Sequence, residues 1–578
     1  MTETAGTDSV GFVTTPPPAA EFVHPEGTDA RDVAEAFAPL ADSLRQRLEQ
    51  YGEVEQLPDG VVLYRAGQDP QELFLVVRGG VDIVGYPAHG EPDTVVRYSA
   101  GSVVGELALL TGQTSFVTAQ TRGESVVRRI GAAEFRRIMA SEAELSDALL
   151  RMLIARRAVL RTGVVARAIE IIGDSHSRES LRLRTYAARQ GIPHIWVEAN
   201  TPAGEARLRD TGSTTAALPL VSSPTAVFAR ATPGDLAEVL GLAYPIGARD
   251  VDLVVIGAGP AGMAAGVYGA SEGLETVVLD SVAVGGQAAA SSRIENYLGF
   301  PSGISGAELL ARSALQAEKF GAQIYTPCTV TRLDTASGAL TLELSDGTTI
   351  APRAAIIATG AHYRALPLDR WSEFEETSIY YAATDLEVRE CETRPVVVVG
   401  GANSAGQAAL HLAAAGSAVT IVIRSSLGKD MSSYLADRLS AHPGIAVLTG
   451  SQVTELHGDT TLSSVTVTGP EGTRSEVPCS GLFCFAGAVP ETGWLTSVAT
   501  DADGFVLTDT DLAAVVSSGA VSDVWAALGR APLPFETSVP TLFAVGDVRR
   551  GSMKRVAAAV GEGASAVHSV HRALGHPH

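Results

Sequence analysis

The chain has 578 residues, 46% of them hydrophobic and 19% charged, with 59 glycines; this is the make-up of a turn-rich α/β protein and excludes a fibrous one. A net charge of −22 argues against nucleic acid and anionic membrane as partners, and no apolar run reaches the length of a bilayer span. Four cysteines rule out a disulfide scaffold and fit a reducing cytoplasm, and the length calls for about three or four domains.

Residues 1–30, rich in Thr, Pro, Ala and Glu, are expected to form a disordered tail. The first ten residues are acidic and polar, unlike a secretory leader, so a cytoplasmic location is expected. Short β-rich runs at 61–64, 73–77, 81–84, 94–98 and 126–130 alternate with glycine turns and predict an antiparallel roll. Leu145, Leu149, Met152, Leu153 and Leu160 at helical spacing then predict one long amphipathic helix over 132–161. A small α/β stretch follows over 167–245: a strand at 168–172, a Gly173-to-Ser177 turn, an Arg- and Leu-rich helix and a strand at 194–198.

Next comes a dinucleotide fingerprint, in which Val254-Val255-Ile256 runs into Gly257-Ala258-Gly259-Pro260-Ala261-Gly262. Gly257 permits the tight turn, Gly259 lets a pyrophosphate approach the backbone, and Gly262 lets helix pack on strand. The helix start offers free N–H groups and partial positive charge to phosphates. The strand at 276–279 ends in Asp280, placed to hydrogen-bond a ribose hydroxyl.

A second fingerprint follows the strand at 396–399, as Gly400-Gly401-Ala402-Asn403-Ser404-Ala405. Ala402 stands where the middle glycine is expected, and its methyl group would hold a pyrophosphate off the backbone. The strand at 419–423 ends in Arg424 in place of an acid. An arginine there neutralises a 2′-phosphate, and Lys429 adds to the charge, so NADPH is expected in preference to NADH. A solvated surface arginine is the alternative reading of Arg424. Two such fingerprints, each inside a βαβ pattern, point to a flavin- and nicotinamide-dependent oxidoreductase.

Near the end of the chain an apolar strand closes in Gly546-Asp547, followed by Lys554-Arg555-Val556-Ala557 and a helix through Gly561-Glu562-Gly563-Ala564. With Gly285-Gly286-Gln287, the 294–301 run containing Asn296, and Ala358-Thr359-Gly360, this makes residues 250–571 resemble the thioredoxin reductase family. The resemblance implies FAD as cofactor, with Gln287 and Asn296 along the flavin and Asp547 on the ribityl chain. Gly286, Thr359, Gly360, Gly546, Arg555, Val556 and Ala557 would complete that site.

That family carries a Cys-Ala-Thr-Cys-Asp dithiol just before the second fingerprint. Here the region reads Tyr380-Tyr381-Ala382-Ala383-Thr384-Asp385, so Tyr381 and Thr384 stand at the cysteine positions. Tyr380 and Tyr381 either stack near the cofactors or pack a hinge. Cys328, Cys391, Cys479 and Cys484 contain no Cys-x-x-Cys. Cys479 and Cys484 would lie roughly 16 Å apart along an extended strand, against about 7 Å between the Cα atoms of a bridge. Cys391 is the thiol nearest the lost pair, and both a packing and a redox reading stay open for it. Tyr381, Thr384 and Cys391 are the candidate catalytic residues, and no metal is expected. The expected activity is hydride transfer from NADPH to FAD, with release of electrons to a quinone, an iron–sulfur protein, oxygen or another small oxidant. The alternatives are a nucleotide- or redox-sensing assembly protein with slow turnover, and a disulfide reductase working through Cys391.

Residues 40–160 resemble the cyclic-nucleotide-binding family in Gly67, a 73–80 hairpin and Gly105-Glu106-Leu107-Ala108-Leu109. The resemblance implies that Glu106 binds a ribose hydroxyl, with Gly105, Leu107, Thr114 and Ser115 around the pocket. Thr114 occupies the place of the phosphate-binding arginine. Either Arg97 or Arg122 compensates and a cyclic nucleotide binds, or the roll serves dimerisation or partner docking. No DNA-reading helix pair follows. The 167–245 stretch looks like a thioredoxin fold without its redox centre: Ser175-His176-Ser177-Arg178 replaces Cys-x-x-Cys, and Pro219 stands at the cis-proline position.

The fold class expected is therefore multidomain α/β. A tail (1–30), a β roll with a long helix (31–163) and a redox-dead thioredoxin-like domain (167–245) precede two Rossmann-like domains. These are an FAD domain in two parts (250–365 and 490–578) and an NAD(P)-binding domain between them (366–489). A homodimer or higher homo-oligomer is expected.

Overall fold

The computed structural model describes residues 20–22, 33, 36–68, 72–87, 91–105, 109, 114–160, 168–175, 177–223, 226–245, 251–336, 338–375, 377–391, 393–512 and 519–575. The described chain divides into two compact bodies, Met1–Leu109 with Ser115–Ala168, and Leu110–Thr114 with Ile169–His578.

The first body is an antiparallel roll of β1 (Ala20–Phe22), β2 (Glu53–Leu57), β3 (Glu72–Gly85), β4 (Asp93–Ser99) and β5 (Val117–Gly131), in the order β1-β4-β3-β5-β2. The two runs expected at 73–77 and 81–84 are one strand, β3, rather than the arms of a hairpin. Gly79, at φ +83°, forms a bulge that shifts the register against β5, and a Cβ on it would lie 2.4 Å from Ser125 Oγ. Part of the expected tail is also structured, since β1 pairs with the open edge of β4. The helix expected over 132–161 is two helices, α1 (Ala132–Ser141) and α2 (Ala143–Leu160). Glu142 leaves helical geometry between them, and its carboxylate accepts from Tyr51 and Arg47.

The second body opens with a four-stranded sheet, β6 (Glu170–Gly173), β7 (Ile195–Glu198), β8 (Leu220–Ser222) and β9 (Val227–Phe228), in the order β9-β8-β6-β7. Only β6 and β7 are parallel, joined by α3 (Arg178–Arg189), and the Leu218–Pro219 bond is cis. His176 lies outside the described residues.

Two parallel five-stranded sheets follow. The first orders β12 (Gln323–Tyr325), β11 (Thr276–Leu279), β10 (Leu253–Ile256), β13 (Ala354–Ile357) and β19 (Leu542–Ala544). The second orders β14 (Ile379–Tyr380), β18 (Gly481–Cys484), β15 (Val396–Val399), β16 (Val419–Ile423) and β17 (Ile445–Thr449). The central strands are continuous apolar runs buried throughout, as sheets covered on both faces require. Helix α4 (Pro260–Ser271) follows β10, α5 (Asn403–Ala414) follows β15, and α6 (Val556–Leu574) closes the chain against α4. The two chain crossings between the sheets run side by side, Ala361–Tyr363 antiparallel to Ala488–Pro490.

Candidate functional site

A cavity of about 360 Å³ opens beyond the carboxyl ends of β10, β13 and β19. Gly259, Pro260, Ala261, Asp280, Gly286, Gln287, Thr359, Gly360, Gly546, Asp547, Arg555 and Val556 all line it. Gly257 and Gly262 lie beneath. Gly257 has φ +111°, and a Cβ on it would sit 2.3 Å from the Ala358 carbonyl oxygen, while one on Gly262 would sit 1.7 Å from that of Gly257. Gly259 differs from both: its nearest obstacle is Gly286 Cα at 3.9 Å, so the room a side chain would fill is open cavity.

The N-termini of α4 and α6 both meet this cavity, and neither has a side-chain cap. Their orphan amides and partial positive charge are what a pyrophosphate requires. A glycine floor, two uncapped helix starts and acids at Asp280 and Asp547 fit an FAD.

Two residues expected at the flavin are not among those lining this cavity. Asn296 is exposed and stands outside the cavity lining, and Ala557 is exposed while Ala559, three positions after the lining residue Val556 on the helix, lines it instead. Asp280 is only in part a free acceptor. One carboxylate oxygen takes the Ala258 amide (2.8 Å), and the other takes those of Val282 and Ala283 (2.9 and 3.0 Å). Burial nevertheless pushes its pKa above the ordinary carboxylate value. Asp547 is likewise pushed up by burial. Glu562 holds the turn that presents it, accepting from the Gly546 amide (2.7 Å) and Arg549 Nη2 (2.7 Å).

At the second fingerprint, Gly400 (φ +141°) and Gly401 pack against Phe485 and Ile423. Ala402 has φ −100° and is exposed, so its methyl group is accommodated without backbone strain. Asn403 turns to Ser432, accepting its amide (2.7 Å) and donating to its Oγ (3.1 Å), and so fixes the loop that carries Lys429. Ser404 lines the FAD cavity and bonds Tyr363, and Ala405 is core. Arg424 and Lys429 are exposed just past β16; among the described residues neither side chain has a hydrogen-bond or ion-pair partner.

Tyr381 lines a small cavity with Gln287, Tyr363 and Ser404. Its hydroxyl accepts from Trp371 Nε1 (3.0 Å) and donates to Glu375 (2.6 Å), and burial raises its pKa. Thr384 donates through amide and hydroxyl to Glu387, while its surface faces a cavity of about 450 Å³ with Gln407 and Arg293. Of the two readings of Cys391, its surroundings favour packing. It is 1% exposed, packed under Gly481, and burial pushes its thiol up to about 11. Cys479 and Cys328 are raised to about 12 and Cys484 to about 11, again by burial, and all four are free.

In the roll, Gly105 (φ +151°) packs on Leu73, while Glu106 and Leu107 lie outside the described residues. Ser115 is buried and turned to the backbone, its Oγ donating to the Val117 carbonyl (2.8 Å). Thr114 belongs to the second body, where its amide donates to the Leu240 carbonyl (3.0 Å). Arg122 is committed to Asp82 (2.9 Å). Sequence reasoning passed over Tyr363 and Arg189 at the FAD cavity and Glu562 behind the Gly546 turn. Glu562 stood within a motif already singled out; for the other two no local signal exists.

A family model described as pyridine nucleotide-disulphide oxidoreductase matches residues 251–563, and one described as cyclic nucleotide-binding domain matches residues 54–142. The thioredoxin reductase of Treponema pallidum (strain Nichols) is 32% identical over 329 residues, covering 55% of this chain and 96% of the relative. That of Rickettsia felis is 29% identical over 327 residues, covering 56% and 97%. The crystal structure of T. acidophilum thioredoxin reductase aligns at 28% identity with a TM-score of 0.50, over 56% of this chain and 98% of its own. No helix among the described residues is long and apolar enough to cross a membrane.

Proposed function

Because the chain belongs to the pyridine nucleotide-disulphide oxidoreductase family, and so is a flavin-dependent NAD(P)H oxidoreductase, we propose that it oxidises NADPH and passes the electrons to an acceptor other than an internal dithiol. One observation carries this reading. Tyr381 and Thr384 fill the dithiol positions, and every cysteine of the chain is buried with its thiol pKa raised. A thiolate is the reactive form of cysteine, and burial in apolar surroundings suppresses it.

When bound in this cavity, FAD would supply the redox chemistry, a two-electron relay between the nicotinamide and the acceptor. The chain's part is to bind and orient. The α4 start would hold the pyrophosphate and Asp547 a flavin-side hydroxyl, while Arg424 and Lys429 would meet the 2′-phosphate of NADPH. Tyr381, fixed by Trp371 and Glu375, closes the space where a dithiol would stand. The acceptor is then a small oxidant such as a quinone, or a protein centre that reaches the isoalloxazine. For the roll, Thr114 at the cation position and Arg122 held by Asp82 favour a docking role over binding of a cyclic phosphate.

Anaerobic mixing of the flavin-loaded protein with NADPH or NADH tests the core of this reading. Fast loss of the oxidised-flavin absorbance with NADPH, and slower loss with NADH, is expected. No bleaching with either nucleotide would leave the protein a non-turning-over sensor and end the oxidoreductase reading.

A further inference from the structure

Residue 189 lies outside the 251–563 span shared with the reductases, yet Arg189 lines the FAD cavity. It is the last residue of α3, in the small α/β domain, and it lines the same space as Asp280, Ser281 and Val282. The placement is held by two neighbours on the same turn. Tyr186 donates from its hydroxyl to the Thr326 carbonyl (2.8 Å), and Gln190 donates to the Thr326 hydroxyl. Thr326 follows β12, and this loop is itself tied to Asp280: the Asp280 amide donates to Tyr325 (3.2 Å), and that of Cys328 to the Asp280 carbonyl (2.7 Å). The end of α3 is thus fastened to the segment that carries the ribose-side acid.

Among the described residues the Arg189 side chain makes no hydrogen bond and no ion pair, although Asp280 and Glu387 are near enough to favour its charge. Burial is the larger influence and pushes its pKa down. Arg189 is half-buried, and a partly desolvated cation facing a cavity without a protein partner is suited to one that a ligand supplies. At the Asp280 end of a dinucleotide cavity the available partners are the oxygens and the π-face of an adenosine diphosphate.

We propose that Arg189 binds the adenosine-monophosphate half of FAD, so that the flavin site is completed by a domain lying outside the reductase core. The inference rests on the flavin reading above. It makes the small domain part of the cofactor site, and ties retention of FAD to the fastening of α3.

The test uses the full chain stripped of flavin, as wild type, Arg189→Ala and Arg189→Lys, titrated with FAD, ADP and FMN. Arg189→Ala is expected to weaken FAD and ADP about ten- to hundred-fold, as loss of a charged hydrogen bond does, with Arg189→Lys recovering part. FMN, which lacks the adenosine half, is expected to bind all variants alike. Unchanged FAD affinity in Arg189→Ala overturns the inference, and so does an equal loss for FMN, which would mark a collapsed site. A wild-type chain that takes up none of the three ligands would instead defeat the flavin reading itself, and this inference with it.

Discussion

Arg424 is an exposed cation at the end of a buried strand, without a partner among the described residues, which suits a group whose partner arrives with the cosubstrate. If it meets the 2′-phosphate, Arg424→Ala raises KM for NADPH about ten-fold and leaves that for NADH unchanged, because only NADPH presents the extra charge. Steady-state kinetics with both nucleotides decides the point; equal changes would return Arg424 to the solvated surface. Asp547 makes a different demand. Burial raises its pKa, Lys554 opposing and Glu562 adding to the shift, so the folded chain binds that proton more tightly than the unfolded chain. The cost of holding the carboxylate ionised is therefore absent below the unfolded value of about 3.9 and grows as pH rises through the folded pKa. In the flavin-free protein, Asp547→Asn should raise Tm at neutral pH and give no gain near pH 4. A gain of the same size at both ends of a melting series would mean that burial of the charge is not the cause. Stability forgone at this residue is consistent with a group kept for its ligand.

Helices α4 and α6 come close enough that two glycines of α6 carry opposite predictions. A Cβ on Gly563 would lie 2.1 Å from the Ala261 carbonyl oxygen, whereas one on Gly561 meets nothing within 4 Å. Gly563→Ala must push the helices apart at a cost of about 1–3 kcal/mol, and it should speed FAD release because both helix starts move. Gly561→Ala should stabilise by about 0.5–1 kcal/mol through helix propensity alone. Denaturant melts of the two variants check this, and a shared sign would refute the packing argument. These elements also show what was legible in the chain. Gly257, Gly259 and Gly262 declare their roles because a turn, a ligand and a strand each exclude a side chain at fixed spacing. Gly563 hides in an alanine-rich helix, since what makes it necessary is a carbonyl some 300 residues away. Gly79 misleads for a related reason. A glycine pair between apolar runs suits a hairpin, and only the neighbouring β5 turns it into a bulge.

At the scale of the whole molecule, the FAD cavity gathers Arg189, Asp280, Tyr363 and Asp547 from widely separated parts of the chain. Family motifs mark the parts that would contact phosphates or flavin through backbone. They are silent on Arg189 and Tyr363, which reach the cavity only through tertiary packing. The proposed electron inventory of the assembled protein, by contrast, rests on cysteine spacing and on the buried, free state of all four thiols. An oxidoreductase that holds FAD and a dithiol stores two electron pairs, one on each. This chain should store one, on the flavin. Anaerobic reductive titration is expected to bleach the flavin with one two-electron equivalent per FAD, and thiol-specific labelling of the native protein to stay near zero before and after reduction. Denatured, the same sample should label at four sites, the full cysteine content. Uptake of a second electron pair, with two thiols appearing on reduction, would require a disulfide among cysteines that are all free and buried in this fold, and would restore a thiol relay to the mechanism.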